Sequence, residues 1–247
     1  MKIKQILEQF LPTHWDGREC VLHLKETESG NSQWKQSEWM GWFFESAALD
    51  LLIPTIGGKP GPFVGQTQFD YMYRNQIWDL KASAYRMAKQ EKTNRILPLN
   101  NRDNTRKCIK IYGGYGAIIA EGYNTTDTDG SFQKWHNALK GEPSDFSIER
   151  IKRGAPSRAR KKAFDLKSIS LIRFNSLKEL DDAIEKKIIY VSGRKRRLVD
   201  GTKKIDYKYM LDKVRARRHG LLPLIKPMKL QVEKPYHNIL LHRQKAI

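Results

Sequence analysis

Three side chains in one short stretch of this sequence could together hydrolyse a phosphodiester bond. They are Asp70, Asp79 and Lys81. Two carboxylates supply the oxygen ligands that Mg²⁺ prefers, and a metal ion held there polarises a phosphate and lowers the pKa of an attacking water. A lysine beside them could orient that water or offset the charge that develops in the transition state. The residue types therefore point to metal-assisted hydrolysis.

The pattern around these residues predicts the strands that must position them. Polar and apolar residues alternate through residues 67–83, and a turn at Asn75–Gln76 divides the stretch into two strands. Residues two apart on a strand share a face, so Asp79 and Lys81 project together. A two-residue turn would pair Asp70 with Lys81 and bring all three charges to one face. A slip of one residue would separate them, so the register is part of the prediction.

A fourth candidate, Glu45, lies on a predicted helix. Apolar residues recur every three or four positions from Gln36 to Leu52, with Ser37 as a possible N-cap and Pro54 following. An acid beside the aromatic residues of such a helix usually has a polar partner. Glu45 is therefore a fourth candidate for the site.

An acid two residues before a lysine is also common on ordinary protein surfaces. The same spacing recurs at Asp165-Leu166-Lys167, Glu185-Lys186-Lys187 and Asp206-Tyr207-Lys208. Asp79 is favoured because apolar residues frame it and an Asp-bearing strand precedes it. Asp165 is the main rival, since a strand-like run follows it. A simple surface charge group at positions 70–81 remains the alternative.

The charge of the chain indicates a polyanionic partner. Lys and Arg number 46 against 27 Asp and Glu, a formal net charge of +19. Residues 151–247 hold 27 of the basic residues and 9 of the acidic ones, so nearly all of the excess lies there. The clusters are Arg158, Arg160, Lys161 and Lys162; Arg194, Lys195, Arg196 and Arg197; and Arg215, Arg217 and Arg218. We predict that these residues bind nucleic acid.

Several other classes of protein are disfavoured. The basic clusters are flanked mainly by Ser, Gly, Asp and Ala rather than by the Leu/Phe/Trp face of a membrane-surface segment, and no apolar run approaches the roughly 20 residues of a membrane span. The first residues do not resemble a secretory signal, so we expect a cytoplasmic protein. Cys20 and Cys108 lie outside any zinc or disulfide pattern.

The order of predicted elements indicates an α/β fold, with a central mixed β-sheet flanked by helices. We predict a helix over residues 82–92, a polar loop over 97–104 and a strand over 108–112. Residues 1–150 would form the catalytic core with the metal site. Residues 151–247 would form a basic DNA-binding portion, packed on the same core rather than folding independently.

The helix bearing Glu45, the strand bearing Asp70 and the run Asp79-Leu80-Lys81 resemble the PD-(D/E)xK nuclease superfamily, and most of all a type II restriction endonuclease. The resemblance covers residues 38–81, with Phe69 where that family usually has proline. It implies a restriction-endonuclease-like sheet and Mg²⁺ as cofactor. It also implies Asp70 and Asp79 as metal ligands, Lys81 as the catalytic lysine and Glu45 as an accessory acid.

The same resemblance implies double-stranded DNA as substrate, a homodimer that matches a palindromic site, and a cognate DNA methyltransferase as partner. Two other functions fit the residues. One is a non-catalytic DNA- or RNA-binding protein. The other is a structure-selective repair or recombination nuclease with the same site chemistry.

Overall fold

A computed structural model describes residues 2–27, 33–62, 69–87, 90–141, 143, 145–154, 160–197 and 203–223. The helices are α1 (Lys2–Phe10), α2 (Gly17–Thr27), α3 (Trp39–Ile56), α4 (Arg102–Tyr112), α5 (Ser131–Lys140), α6 (Asp145–Lys152), α7 (Leu177–Glu185) and α8 (Lys213–Arg218), with a 3₁₀ turn at Gln33–Lys35. The strands are β1 (His14–Asp16), β2 (Lys59–Pro60), β3 (Tyr71–Tyr73), β4 (Gln76–Ala84), β5 (Arg86–Met87), β6 (Gln90–Thr93), β7 (Ile96–Asn101), β8 (Tyr115–Thr126), β9 (Lys161–Phe174), β10 (Ile189–Arg197) and β11 (Lys203–Asp212).

Six strands form a central mixed sheet in the order β1-β9-β8-β4-β3-β2. β4 and β8 pair in parallel, whereas every other neighbouring pair of this sheet is antiparallel. Helices flank the sheet, so the prediction of an α/β fold with a central mixed sheet is confirmed. β9 belongs to the basic part of the sequence and is an inner strand of this sheet.

The two faces of the sheet pack against different layers. Trp78 and Leu80 lie in the hydrophobic cluster that α1, α2 and α3 complete. Ile77 lies in the other cluster, together with residues of α4, α7 and the second sheet, β10-β11-β7. Because side chains alternate along a strand, Asp79 and Lys81 lie on the face of Ile77.

Helix α3 is buried along most of its length because large apolar residues recur on every turn, among them Trp39, Phe43 and Phe44. The predicted helix is confirmed, but it extends through Pro54 to Ile56. Pro54 is tolerated because the helix ends within the next turn, where the Gly57 N–H donates to the carbonyl of Ile53. The helix is the largest apolar element behind the strand that bears Asp79.

The predicted helix over residues 82–92 is wrong. β4 continues to Ala84 because its parallel pairing with β8 reaches as far as Ala84 and Gly122, and β5 and β6 then form a short antiparallel pair. Sheet pairing here overrides the helix propensity of an alanine- and lysine-containing segment.

The predicted loop at residues 97–104 and strand at 108–112 are also wrong. β7 occupies the first stretch, and α4 begins where the side chain of Asn101 accepts hydrogen bonds from the N–H groups of Asp103 and Asn104. The helix buries Cys108 and ends at Gly113, which has a left-handed conformation. The N-cap asparagine and the glycine after the helix are the sequence signals of a helix that the strand interpretation missed.

The sequence pattern also predicts helices over residues 3–11, 131–139 and 177–186 and strands over 117–122, 169–174 and 188–191. The structure has the helices α1, α5 and α7 and the strands β8, β9 and β10 at these places, and each strand is longer than predicted. No helix among the described residues is long and apolar enough to cross a membrane.

His136 on α5 makes the stability of the fold sensitive to pH. The side chain is fully buried and its Nε2 lies 2.8 Å from the carbonyl oxygen of Trp34. Burial lowers the pKa of His136 to about 4, and the charges of Lys140 and Arg160 act in the same direction. Between the ordinary value of 6.5 and about 4, the unfolded chain therefore binds a proton that the folded chain does not.

We expect the free energy of unfolding to decrease as pH falls through this window, by up to about 1.4 kcal/mol per pH unit from this residue. Urea unfolding at pH 7, 6 and 5 measures the dependence. His136→Gln retains a donor for the Trp34 carbonyl but does not titrate, so its stability should depend less steeply on pH. Equal pH dependence of the two proteins would contradict the assignment.

Candidate active site

The site is built on the hairpin of β3 and β4. Arg74 and Asn75 form its turn with φ angles of 50° and 58°, the left-handed conformation that a tight two-residue hairpin turn requires. Tyr73 pairs with Gln76 across this turn. The predicted turn at Asn75–Gln76 is therefore wrong by one residue.

This correction changes the register but keeps the faces. Moving the turn by one residue moves each cross-strand pair by two positions, so the alternation of side chains is preserved. The N–H of Asp70 donates to the carbonyl of Trp78 at 2.9 Å, and Asp70 lies beside Asp79 rather than opposite Lys81. The hairpin still brings all three predicted residues together, so the expectation that a slip of the turn by one residue would separate them is wrong.

Asp70 is held by the backbone of the neighbouring strand. Its side chain is 8% exposed, and its Oδ2 accepts a hydrogen bond of 2.7 Å from the N–H of Leu80. The same Oδ2 lies 3.9 Å from Nζ of Lys81. The carboxylate is therefore oriented by a group that cannot move without disrupting β4.

Asp79 is the most deeply buried member of the site, with 1% of its surface exposed. Its Oδ2 lies 3.3 Å from Nζ of Lys81 and also accepts a hydrogen bond from the hydroxyl of Tyr115. Lys81 is 27% exposed. The lysine thus contacts both carboxylates and still reaches solvent.

The charges at the site do not balance. The pKa of Asp70 is raised to about 6, mainly by burial and in part by the charge of Asp79, although Lys81 and the Leu80 N–H oppose the increase. Burial lowers the pKa of Lys81, but the attraction of Asp79 and Asp70 outweighs it, so the net shift is upward. Two carboxylates share one ammonium, which leaves an excess of buried negative charge.

Glu45 on α3 lies within electrostatic range of the same lysine. Its negative charge contributes to the increase in the pKa of Lys81, as the smallest of the causes. The side chain is half-buried. The structure therefore brings all four predicted catalytic residues into one electrostatic group.

Tyr115 is a site residue that the sequence analysis missed. It begins β8 two residues before Ala117, which pairs with Asp79, so its ring lies on the same face as that carboxylate. Burial and the charge of Asp79 raise the pKa of Tyr115 well above its ordinary value, so the hydroxyl remains a donor. The neighbouring Gly116 is required because a Cβ there would lie 2.4 Å from the Trp78 ring. The only signal for this site residue in the sequence was a tyrosine flanked by Gly114 and Gly116.

The donor set suits a magnesium ion that also binds substrate. Among the described residues, no three or more His, Cys, Asp or Glu side chains converge on one point. Mg²⁺ is usually held by one or two carboxylates together with waters and substrate phosphates. Asp70 and Asp79 provide that pair, and a cation beside them would offset their excess negative charge.

The main rival, Asp165, lies in different surroundings. Its Oδ1 is 2.8 Å from Nδ1 of His14 on the edge strand β1, and both side chains are well exposed to solvent. Glu185 is exposed as well. Neither acid has the buried second carboxylate that Asp79 has.

A second buried charge cluster lies two residues further along the same strands. Glu121 on β8 is fully buried, pairs with Nζ of Lys213 at 3.0 Å and also binds the guanidinium of Arg217. The same Lys213 Nζ donates to the hydroxyl of Ser83 at 2.8 Å. These contacts fasten α8 to the central sheet, and they place the predicted nucleic-acid-binding residue Arg217 in an internal ion pair.

The other predicted nucleic-acid-binding residues are spread over separate parts of the fold. Lys161 pairs with Glu38 at 3.0 Å, Lys162 with Asp129 at 3.9 Å and Arg215 with Asp212 at 3.5 Å. Arg218 is exposed at the end of α8, Arg160 is half-buried before β9, and Arg158 lies outside the described residues. Arg194, Lys195, Arg196 and Arg197 form the outer half of β10. Their role in binding nucleic acid stays a prediction.

Comparison of the chain with models of known protein families, with curated proteins and with solved structures gave no significant match.

The substitution Asp70→Asn distinguishes two roles for Asp70. Its charge either destabilises the fold, as at a functional site, or stabilises it, as in a structural ion pair. The raised pKa means that ionised Asp70 destabilises the fold above about pH 6, whereas asparagine keeps an acceptor for the Leu80 N–H without the charge. At pH 8 we expect the free energy of unfolding of the variant to exceed that of the wild type by about 1–3 kcal/mol. Denaturant unfolding measures the difference. A loss of stability of similar size would identify Asp70 as a structural partner of Lys81.

Proposed function

We propose that this protein is a Mg²⁺-dependent endonuclease that hydrolyses phosphodiester bonds in double-stranded DNA at specific sequences, as a type II restriction enzyme does. The observation that carries the proposal is the contact of Lys81 with two buried carboxylates on adjacent strands. This contact brings two carboxylates that can bind a metal ion together with a lysine whose side chain is partly exposed to solvent. Asp70 and Asp79 are the proposed metal ligands.

The imbalance of charge favours a catalytic role over a structural one. A buried ion pair contributes little to stability even when its charges match, and here two carboxylates face one lysine. The pKa of Asp70 is raised mainly by burial, and the neighbouring charge of Asp79 adds to the increase. Groups whose pKa values are strongly perturbed in this way concentrate at functional sites.

Each residue has a distinct proposed part in hydrolysis. A divalent cation bound to the two carboxylates would polarise the scissile phosphate and lower the pKa of an attacking water. Lys81 contacts both carboxylates and its side chain is 27% exposed, so its ammonium can orient that water or neutralise charge on the phosphate. Tyr115 fixes the carboxylate of Asp79 and acts as a positioning residue. Glu45 adds negative charge near the lysine and makes the smallest contribution to the increase in its pKa.

DNA is the proposed substrate because of the charge of the chain. A formal charge of +19 on 247 residues gives strong, salt-dependent attraction to a phosphate backbone. A cytoplasmic homodimer acting beside a cognate DNA methyltransferase completes the proposal, as the resemblance to restriction enzymes implies. A non-catalytic nucleic-acid-binding protein would share the charge but not the need for a metal.

The test uses two aspartates with the same sequence spacing. Asp79→Asn keeps the shape of the site and removes a metal ligand, whereas Asp165→Asn, the matched control, changes the exposed acid of another Asp-Leu-Lys run. Purified proteins are incubated with plasmid DNA of varied, unmethylated sequence in Mg²⁺ or EDTA. We expect discrete, Mg²⁺-dependent fragments from the wild type and from Asp165→Asn, and at least about 10³-fold slower cleavage by Asp79→Asn.

Binding of the same DNA in EDTA completes the comparison. Asp79→Asn should bind about as tightly as the wild type, because phosphate contacts rather than the metal site dominate affinity. Wild-type cleavage by a folded Asp79→Asn protein would reject the proposed site. A wild-type protein that retards DNA but never cuts it would support the non-catalytic alternative, and cleavage confined to branched or flapped DNA would support a structure-selective nuclease.

A further inference from the structure

β10 and β11 form a long antiparallel ribbon. Nine consecutive pairs join them, from Ile189 and Leu211 at the inner end to Arg197 and Lys203 at the outer end. At the inner end β11 also pairs with β7, where its partners run from Asn101 to Ile96. From Tyr207 outward β11 has only β10 beside it among the described strands. The outer half is therefore a two-stranded ribbon.

One face of the ribbon continues from the core into solvent. Tyr209 and Leu211 are buried, whereas Ile205 and Tyr207, which share their face by alternation, are exposed. Gly193 leaves room for these two side chains, because a Cβ there would lie 3.0 Å from Ile205 and 3.1 Å from the Tyr207 ring. Arg102 at the start of α4 lies over the Tyr207 ring at 4.9 Å. The exposed apolar surface is therefore bordered by a cation.

The sequence of the ribbon indicates what covers this surface. Residues 192–208 contain seven Lys or Arg and two Asp. A second copy of the ribbon would bring two strongly positive segments together, and a neutral apolar partner would leave the positive charge unused. Charge complementarity favours a polyanion.

The dimensions fit one groove of one polyanion. Strands lie about 4.8 Å apart, and the six residues from Ser192 to Arg197 span about 20 Å. The major groove of B-form DNA, about 12 Å wide and about 8.5 Å deep, admits a two-stranded ribbon. The major groove of A-form RNA is too narrow and deep for side chains to read.

We propose that the β10–β11 ribbon enters the major groove of duplex DNA and reads base edges there. This inference rests on the proposed function only in taking duplex DNA as the substrate. Arg194 to Arg197 supply donors to phosphates and guanine edges, and Ile205 and Tyr207 offer apolar contacts of the kind that thymine methyl groups accept. The ribbon thus determines specificity, while the hairpin of β3 and β4 performs the chemistry.

The test blocks one groove at a time. Binding of wild-type protein in EDTA is measured on a duplex of mixed sequence made with ordinary cytosine or with glucosylated 5-hydroxymethylcytosine, whose sugar fills the major groove. We expect about tenfold weaker binding to the glucosylated duplex. Netropsin, which occupies the minor groove, should change the affinity of the ordinary duplex less than twofold.

A shortened ribbon provides the decisive variant. Replacing residues 196–204 with Asn-Gly keeps the pairing of Lys195 with Ile205 next to a two-residue turn, so the inner ribbon can fold. This variant should bind more weakly than the wild type and should no longer distinguish the two duplexes. Its far-ultraviolet circular dichroism and unfolding midpoint establish that the core is intact.

Charge alone is controlled with two double variants. Arg194→Gln with Arg196→Gln should reduce the slope of log affinity against log salt by about 2, in contrast to Lys2→Gln with Lys134→Gln, which changes exposed lysines on α1 and α5. Equal effects of the two pairs would overturn the proposal. So would equal binding of ordinary and glucosylated DNA by the wild type, or continued discrimination by the shortened ribbon.

Failure of the ribbon proposal and failure of the proposed function give different results. If the wild type cuts ordinary DNA with Mg²⁺ but ignores glucosylation, the ribbon proposal is rejected and the nuclease stands. If it discriminates the two duplexes through the ribbon but never cuts, the ribbon proposal is supported and the nuclease is rejected.

Discussion

The contact of Lys81 with Asp70 and Asp79 is the interaction on which the proposed chemistry depends, and it makes unusual demands on the fold. Two carboxylates must be withdrawn from water while only one ammonium compensates them. Such an arrangement costs stability, so the surrounding structure must hold it in place. The turn at Arg74–Asn75, the Leu80 N–H and the Tyr115 hydroxyl each restrain one part of it.

The parallel pairing of β4 with β8 connects this site to the rest of the molecule. It sets Tyr115 over Asp79 and, four residues further along β4, Ser83 opposite Glu121. Apolar helices cover one face of these strands, and α4 and the second sheet cover the other. The charged groups can therefore be buried because their strands are the best-supported part of the fold.

The hairpin, α3 and the site residues on them were predictable because local patterns encode them. The alternation of side chains placed Asp79 and Lys81 on one face. The error of one residue in the turn did not change this, because it moved each cross-strand pair by two positions and left every side chain on the same face. Tyr115 and α4 were not predictable in the same way. The partnership of Tyr115 with Asp79 arises from a pairing between strands 36 residues apart in sequence, and the alternation of Ile109 and Ile111 resembled a strand although α4 is a helix.

The chain contains its own comparison for judging the proposed site. Glu121 lies on β8 and forms a second buried ion cluster with Lys213 and Arg217 of α8, but there one carboxylate faces two cations. That cluster is closed, because Lys213 is 1% exposed and also donates to Ser83. The Lys81 cluster has the opposite sign and an opening to solvent at its lysine. An uncompensated carboxylate near a solvent-exposed lysine does not stabilise a structural ion pair. A site that must accept a cation and a phosphate requires both the excess negative charge and access from solvent.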